Sequence, residues 1–555
     1  MNSGKGGMRI DASGWRTRIT DQMIEMYTRS GHWRNLTVWD RAREHLATDA
    51  DRIVVVDGQR KISFGRMVGE ARRLASAFAK RGLRPGDVIS FQLPNWAETM
   101  ALNLAAAQLG LVCNPIVPIY RDAEVRHILR DARAKLLFGP TTFRGFDYVG
   151  MASRLRGDLA DLQDVVVVRG AAAGCTTYDQ WLASGDESPD LASNTDPNAV
   201  KLLMYTSGTT GVAKGVLHTH NTIMAEIDAV IEYWRIRSND VVLMPSPVTH
   251  ITGYLYALEI AFAAGAKVVL MERWSADEAV DLIRSHGVTF SVGATPFLKE
   301  LVSVAEQRGE GLPNLRLFMS GGAPVPPEVI YHANRVLVGC SAFRVYGSTE
   351  APTVTLGIRG SEEAELGATT DGRIVNHEVR LRDPLSGNIV TGDGEDGEIT
   401  TRGPEMMVGY TTPDETAESF DADGYFATGD LGFITRGEFL TVSGRKKDLI
   451  IRGGENISPK EIEDVLHRHP AIREVAVVAM PHPRLGEGVC AFVIPQAGQT
   501  PDVAALVAHL ERAGLARQKF PERVELVEDL PRTPSGKVQK NVLRKKIAEQ
   551  LERVG

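Results

Sequence analysis

The stretch AVKLLMYTSGTTGVAKGVLHTH, residues 199–220, decides the reading of this chain. It starts as an apolar run of strand character and breaks into glycines and hydroxyl residues ahead of a lysine. Gly208, Gly211 and Gly215 free the backbone to aim N–H groups at phosphate oxygens, Thr206, Ser207, Thr209 and Thr210 add hydroxyls, and Lys214 supplies a counter-charge. The pattern is not that of the nucleotide-hydrolase P-loop, because counted from Gly208 the motif GxxxxGK[ST] fails around the lysine, where Ala213 and Gly215 flank Lys214. Taken alone, the motif is a phosphate-binding loop or a surface turn.

Around it, from about residue 87 to 346, short β-rich runs alternate with helical patterns: DVISFQL, AETMALNLAAAQLG, LVCNPIV, and later VVLMPSP, AKVVLME, VTFSVGA and LRLFMSGG. This rhythm predicts βαβ units and a largely parallel sheet covered by helices, for example over 277–286 and 327–337. Such sheets place ligands at the loops that follow their strands. Beyond 350, Gly- and Asp-rich turns (DPLSGNIV, TGDGEDGEI, DADGYFATGD) predict an antiparallel β-rich subdomain. After GRKKD, residues 444–448, comes a unit of about a hundred residues with its own strands VAVVAMP, VCAFVIP and RVELVEDL. The expected division is 1–445 and 446–555, in keeping with a chain of 555 residues that is too long for one core.

Composition bounds the function. Apolar residues at 43% and charged ones at 24% suit an ordinary globular protein, and a net charge of -7 gives no long-range attraction for nucleic acid or anionic lipid. Cys113, Cys175, Cys340 and Cys490 form no CxxC pair, so neither a zinc site nor a disulfide framework is expected. The opening residues lack a signal-peptide core, and no run reaches the ~18 apolar residues of a membrane span. A soluble cytoplasmic protein is the expectation. A homodimer is left open.

Four further motifs carry chemistry. In VYGSTEA, residues 345–351, Tyr346 beside Gly347 can stack on a purine, while Thr349 and Glu350 offer oxygens to phosphate and Mg²⁺. SGGAPV, residues 320–325, lets a backbone approach a flat ligand at Gly321 and Gly322. GYFATGDLG with GRKKDLIIRGGENISPKEIE brings Asp430, an acceptor for two ribose hydroxyls, and Arg445, a fixed fork for oxygens. PRTPSGKVQKNVLRKK holds Lys537 in a proline-bracketed turn. Singly, Asp430 reads as a turn aspartate and Lys537 as a solvated charge.

In this order and at these separations the five motifs resemble the adenylate-forming superfamily of acyl-CoA synthetases, peptide-synthetase adenylation domains and luciferases, from about Ile62 onward. The resemblance implies a large N-terminal domain of two helix-covered sheets plus a β-barrel, and a small mobile C-terminal lid. It implies an ATP-dependent ligase that makes an acyl-adenylate with Mg²⁺ and passes the acyl group to coenzyme A. By the same resemblance residues 206–214 hold the phosphates, Tyr346 stacks on adenine beside Gly322 and Ala323, and Glu350 takes the metal. Asp430 and Arg445 hold the ribose, Lys537 bridges acid and α-phosphate, and the lid pivots at Lys447 so that Gly453 and Gly454 line a thiol channel. Resembling segments put His250, Ile251, Gly253 and Tyr254 (HITGY), Gly293 (GATP), Gly321 and Gly322 around the acid.

MYTRSGHWRNLTVWD, residues 26–40, resembles the start of aryl-acid and cyclohexanecarboxylate ligases. Ile251 stands where activators of 2-hydroxyaryl acids usually carry asparagine, which favours an apolar alicyclic or medium-chain acid. Two other readings stay open: an aryl-acid adenylating enzyme that loads a carrier-protein thiol, and a non-catalytic nucleotide-binding regulator on the same fold.

Overall fold

The apolar run that opens the decisive stretch forms the strand Val200–Ser207, and the chain returns beyond the glycines as the antiparallel strand Ala213–Thr219, with Thr206 opposite Lys214. The structure is a computed structural model that describes residues 8–187, 195–207, 213–384, 386–453, 455–532 and 537–553. Gly208, Thr209, Thr210, Gly211 and Gly454 therefore lie outside the described residues, as does the side chain of Ser207.

The hairpin belongs to an eight-stranded sheet. In spatial order its strands are Thr176–Thr177, Asp164–Val167, Leu136–Gly139, Val88–Phe91, Val112–Pro115, Val200–Ser207, Ala213–Thr219 and Gly409–Tyr410. The first six strands are parallel and the last two pairings are antiparallel, so the glycine-rich hairpin stands where the sheet changes direction. A seven-stranded sheet follows the order Ser341–Arg344, Leu317–Ser320, Phe290–Gly293, Val241–Met244, Lys267–Leu270, Ile53–Asp57 and Arg60–Ser63. It is parallel except for its final hairpin. That hairpin precedes residue 87, where the strand–helix rhythm was read to begin: IVVVD is short and turns back through Gly58, so it resembles no βαβ unit.

One apolar core joins the two sheets, with Ile89, Phe91, Leu202 and Met204 from the first and Val55, Val242, Met244 and Phe290 from the second. The helix Glu98–Leu109 runs through it and is buried along nearly its whole length, which is why ETMALNLAAAQL has no polar face. The helical expectations over 277–286 and 327–337 correspond to Ala276–His286, capped by Ser275, and Pro327–Val336, started by proline at its first position.

The β-rich region after 350 contributes a five-stranded antiparallel sheet that ends in the hairpin Phe426–Thr435 and Phe439–Arg445. A short 3₁₀ turn, Lys446–Asp448, leads to another sheet that begins at Ile450. Its central hairpin, Ile472–His482 with Gly486–Pro495, is apolar on both faces because both are covered. Val475, Val477, Val489 and Ala491 pack on Ile462, Leu466, Leu506 and Leu510; Ala476, Val478, Cys490 and Phe492 pack on Leu543 and Ile547 of the helix Lys540–Glu552. All four cysteines are unpaired thiols. Among the described residues no helix is long and apolar enough to cross a membrane.

Candidate active site

The two parallel sheets and the antiparallel hairpin converge on the loop that carries Glu350. This loop is pinned by its backbone. Thr349 O accepts from His218 Nε2 at 2.7 Å, and Met407 N donates to Glu350 O at 2.8 Å. Gly347 permits the fold of this loop, since a Cβ there would stand 1.8 Å from Pro352 O. The Glu350 carboxylate accepts from Tyr410 OH at 3.1 Å and faces Thr206 Oγ1 at 3.5 Å, so the loop meets the glycine-rich hairpin through Thr206. Lys214, opposite Thr206, pairs with Glu415 at 2.9 Å.

Asp430 and Arg445 are cross-strand neighbours in the terminal hairpin, and Arg445 Nε lies 3.2 Å from Asp430 Oδ1. The other carboxylate oxygen accepts from Tyr346 OH at 2.8 Å, which fixes the aromatic ring against this hairpin. Burial and the adjacent Asp430 charge raise the Tyr346 phenol well above its ordinary value, so it remains a donor.

Lys537 comes from the far side of the 3₁₀ turn, yet it enters the same field. Burial lowers its ammonium from the ordinary lysine value, Arg445 and Lys447 act in the same sense, and Asp430 and Glu350 oppose them. His250, at the start of the short helix Ile251–Gly253, is pushed down to about 4 by burial, with Lys537 adding to the effect, so its imidazole is neutral at pH 7. Contacts that hold the small unit against the large one include Arg468 Nε with Glu328 at 2.9 Å, Lys446 Nζ with Glu398 at 2.8 Å, and Ser458 Oγ donating to Ser443 O at 2.6 Å.

Of the residues read as an acid pocket, Ile251 is buried and Gly321 N donates to Gly293 O at 3.3 Å, which joins GATP to SGGA. Gly322 has φ 76° and open space where a Cβ would be. Gly253 serves packing, because a Cβ there would stand 2.1 Å from Pro247 O. The Tyr254 hydroxyl donates to Asn103 Oδ1 at 2.6 Å and the Lys201 ammonium sits 5.5 Å from its ring centroid, so it takes part in a buried polar cluster.

Sequence reading missed His218, Tyr410 and Glu415. Only the alternation in HTH hinted at the first; the other two act across the fold, with no local signal. Among the described residues no three His, Cys, Asp or Glu side chains cluster as a metal cage.

Residues 42–411 match the AMP-binding enzyme family, and residues 461–537 match the AMP-binding enzyme C-terminal domain. This chain belongs to the AMP-binding enzymes. It is an AMP-forming acid ligase of the adenylate-forming superfamily. Among similar AMP-binding enzymes, the medium-chain fatty-acid–CoA ligase of Escherichia coli strain K12 is 34% identical, over 96% of this chain and 94% of that protein. The 2,3-dihydroxybenzoate-AMP ligase of Bacillus subtilis strain 168 is 32% identical, over 96% of this chain and 97% of that protein. Among solved structures, ATP-bound MatB from Rhodopseudomonas palustris superposes with a TM-score of 0.82 at 28% identity, covering 92% of this chain and 99% of that one.

Proposed function

We propose that this AMP-forming ligase couples an apolar alicyclic or medium-chain carboxylic acid to coenzyme A through an acyl-adenylate. The observation that carries the reading is the entry of Lys537 from the small unit into the field of Glu350, Asp430, Arg445 and His250. A carboxylate is a poor acyl donor because oxide is a poor leaving group, and adenylation replaces the oxide with a stabilised phosphate ester. Attack of the acid on the α-phosphorus of ATP builds charge on phosphate oxygens. Lys537, with the hairpin donors around Thr206 and Lys214, stabilises that charge more in the transition state than in the ground state.

Asp430 and Arg445 hold the ribose, and Tyr346, fixed by Asp430, offers its ring to adenine. Glu350 suits Mg²⁺, which is commonly held by one carboxylate together with substrate phosphates and waters and would neutralise phosphate charge here. Neutral His250 sits beside the acid without adding charge. Ile251 and the 34% identity to a protein named a medium-chain fatty-acid–CoA ligase support an apolar acid and coenzyme A as acceptor. The similarity to a 2,3-dihydroxybenzoate-AMP ligase keeps a carrier-protein thiol as the competing acceptor.

The test is pyrophosphate release across linear, alicyclic and aromatic acids, with and without coenzyme A. Hexanoate, octanoate or cyclohexanecarboxylate is expected to exceed acetate and 2,3-dihydroxybenzoate in kcat/KM by about 10-fold or more, since one apolar contact is worth ~1–3 kcal/mol. Thioester should form with coenzyme A alone. Superiority of the dihydroxy acid, or adenylate that coenzyme A leaves untouched, would overturn the reading.

A further inference from the structure

Glu226 lies wholly inside the large unit, on the helix His220–Tyr233 that follows the phosphate hairpin. Its Oε1 accepts from Tyr256 OH at 2.9 Å and from the hydroxyl of Thr353, while Oε2 is buried with no hydrogen-bond partner among the described residues. The two hydroxyls come from different parts of the site. Tyr256 belongs to the π-helical segment Tyr254–Glu259, which continues the helix begun at His250. Thr353 stands three residues after Glu350, on a loop already pinned at Thr349 by His218 and at Glu350 by Met407.

We propose that Glu226 is a positioning residue: its buried carboxyl fastens the helical segment behind His250 to the loop that carries Glu350, and so sets the spacing between the acid and phosphate ends of the site. The proposal rests on the roles proposed above for His250 and Glu350. π-Helical turns are rare and mark places where a helix is held out of its regular path. Here the side chain at position 256 is held by a carboxyl from another helix, and the same oxygen holds the Glu350 loop. A shift of either end by an ångström would reach the reacting atoms, where misplacement of that size costs on the order of 10²-fold in rate.

The surroundings keep this carboxyl protonated. Burial raises it to about 8, and the buried Glu405 adds to the effect. Glu405 is itself engaged by His377 Nε2 at 2.8 Å and Asn376 Nδ2 at 3.2 Å. Tyr256 is the other titratable group in contact; His218 directs Nε2 to Thr349, and Lys201 pairs with Glu259. An acid whose folded value lies above its unfolded one stabilises the fold below the unfolded value, and that contribution is lost as pH rises through about 8.

The experiment compares wild type, Glu226→Gln and Glu226→Ala by acid-dependent pyrophosphate exchange, using the best acid of the panel above, and by thermal melting from pH 6 to pH 9.5. Glutamine keeps a neutral acceptor, so Glu226→Gln should hold kcat within about 2-fold at pH 7 and should lack both the wild-type fall in melting temperature from pH 6 to about 8 and the wild-type fall in exchange above about 8. Glu226→Ala should lose roughly 10–100-fold in kcat with a smaller change in the KM for ATP. Equal pH dependence of melting and exchange in wild type and Glu226→Gln, wild-type exchange by Glu226→Ala, or a glutamine variant as defective as the alanine one would overturn the proposal. Melting needs no substrate, so it tests the brace even if Glu226→Ala fails to fold; lack of exchange by the parent enzyme with every acid tells against the ligase reading and leaves the melting comparison decisive.

Discussion

Lys537→Ala is expected to lower acid-dependent pyrophosphate exchange by about 10²–10³-fold, the usual loss when one preorganised group that stabilises developing charge is removed. Burial and Arg445 lower this ammonium from the ordinary lysine value, and Asp430 and Glu350 oppose them. Truncation removes the charge and leaves the folded frame, since the flanking strand and helix bury other residues. ATP binding should fall far less than exchange, because the hairpin, Asp430 and Arg445 remain. Conversion of a supplied acyl-adenylate to thioester should persist, as that step expels AMP and needs no bridge between acid and phosphate. Near-normal exchange by this variant would remove Lys537 from the chemistry.

Lys447→Pro is expected to separate the two half-reactions. Lys537 and the RGGENI segment, residues 452–457, both lie beyond the turn Lys446–Asp448, and the pose described here presents Lys537. If the glycine segment is to serve the thiol, the small unit must rotate, and the turn is where the backbone angles can change. Arg544 donates to Lys447 O at 2.9 Å and pairs with Asp448, which ties the turn to the small unit. Proline fixes φ near -65°, a value the 3₁₀ turn already accommodates, and disfavours other angles by roughly 3 kcal/mol. That corresponds to about 10²-fold in the population or rate of a rotated pose. Pyrophosphate exchange should therefore survive while thioester formation from preformed acyl-adenylate drops, as single-turnover measurement would show. Equal loss in both steps would place the pivot elsewhere.

Much of this architecture was legible because its signals are local. Strand runs such as VVLM and LFMS end at loops, Ser275 and Pro327 mark helix starts, and the glycine-rich hairpin could be found by composition alone. The meeting of Asp430 with Arg445 was likewise readable, through motif order. What escaped were contacts made between elements far apart in the chain. Tyr410 reaches Glu350 across 60 residues and His218 reaches Thr349 across 131, and no periodicity encodes such pairs. The contact of Tyr254 with Asn103, 151 residues away, escaped for the same reason. Glu226 looks like one more polar residue in HNTIMAEIDAVIEY, and only its burial reveals it.

The two-sided hairpin of the small unit gives the helix Lys540–Glu552 a part in keeping the unit covered. Lys537 precedes the helix Lys540–Glu552 by only a few residues, and that helix is the lid over Ala476, Val478, Phe492 and Ile494. A chain cut at residue 539 would keep the lysine and uncover a band of apolar strand, the kind of surface that recruits other strands into aggregates. The helix Lys540–Glu552 thus covers apolar strand that its removal would expose, and Lys537, the lysine proposed for the reaction, stands just before it.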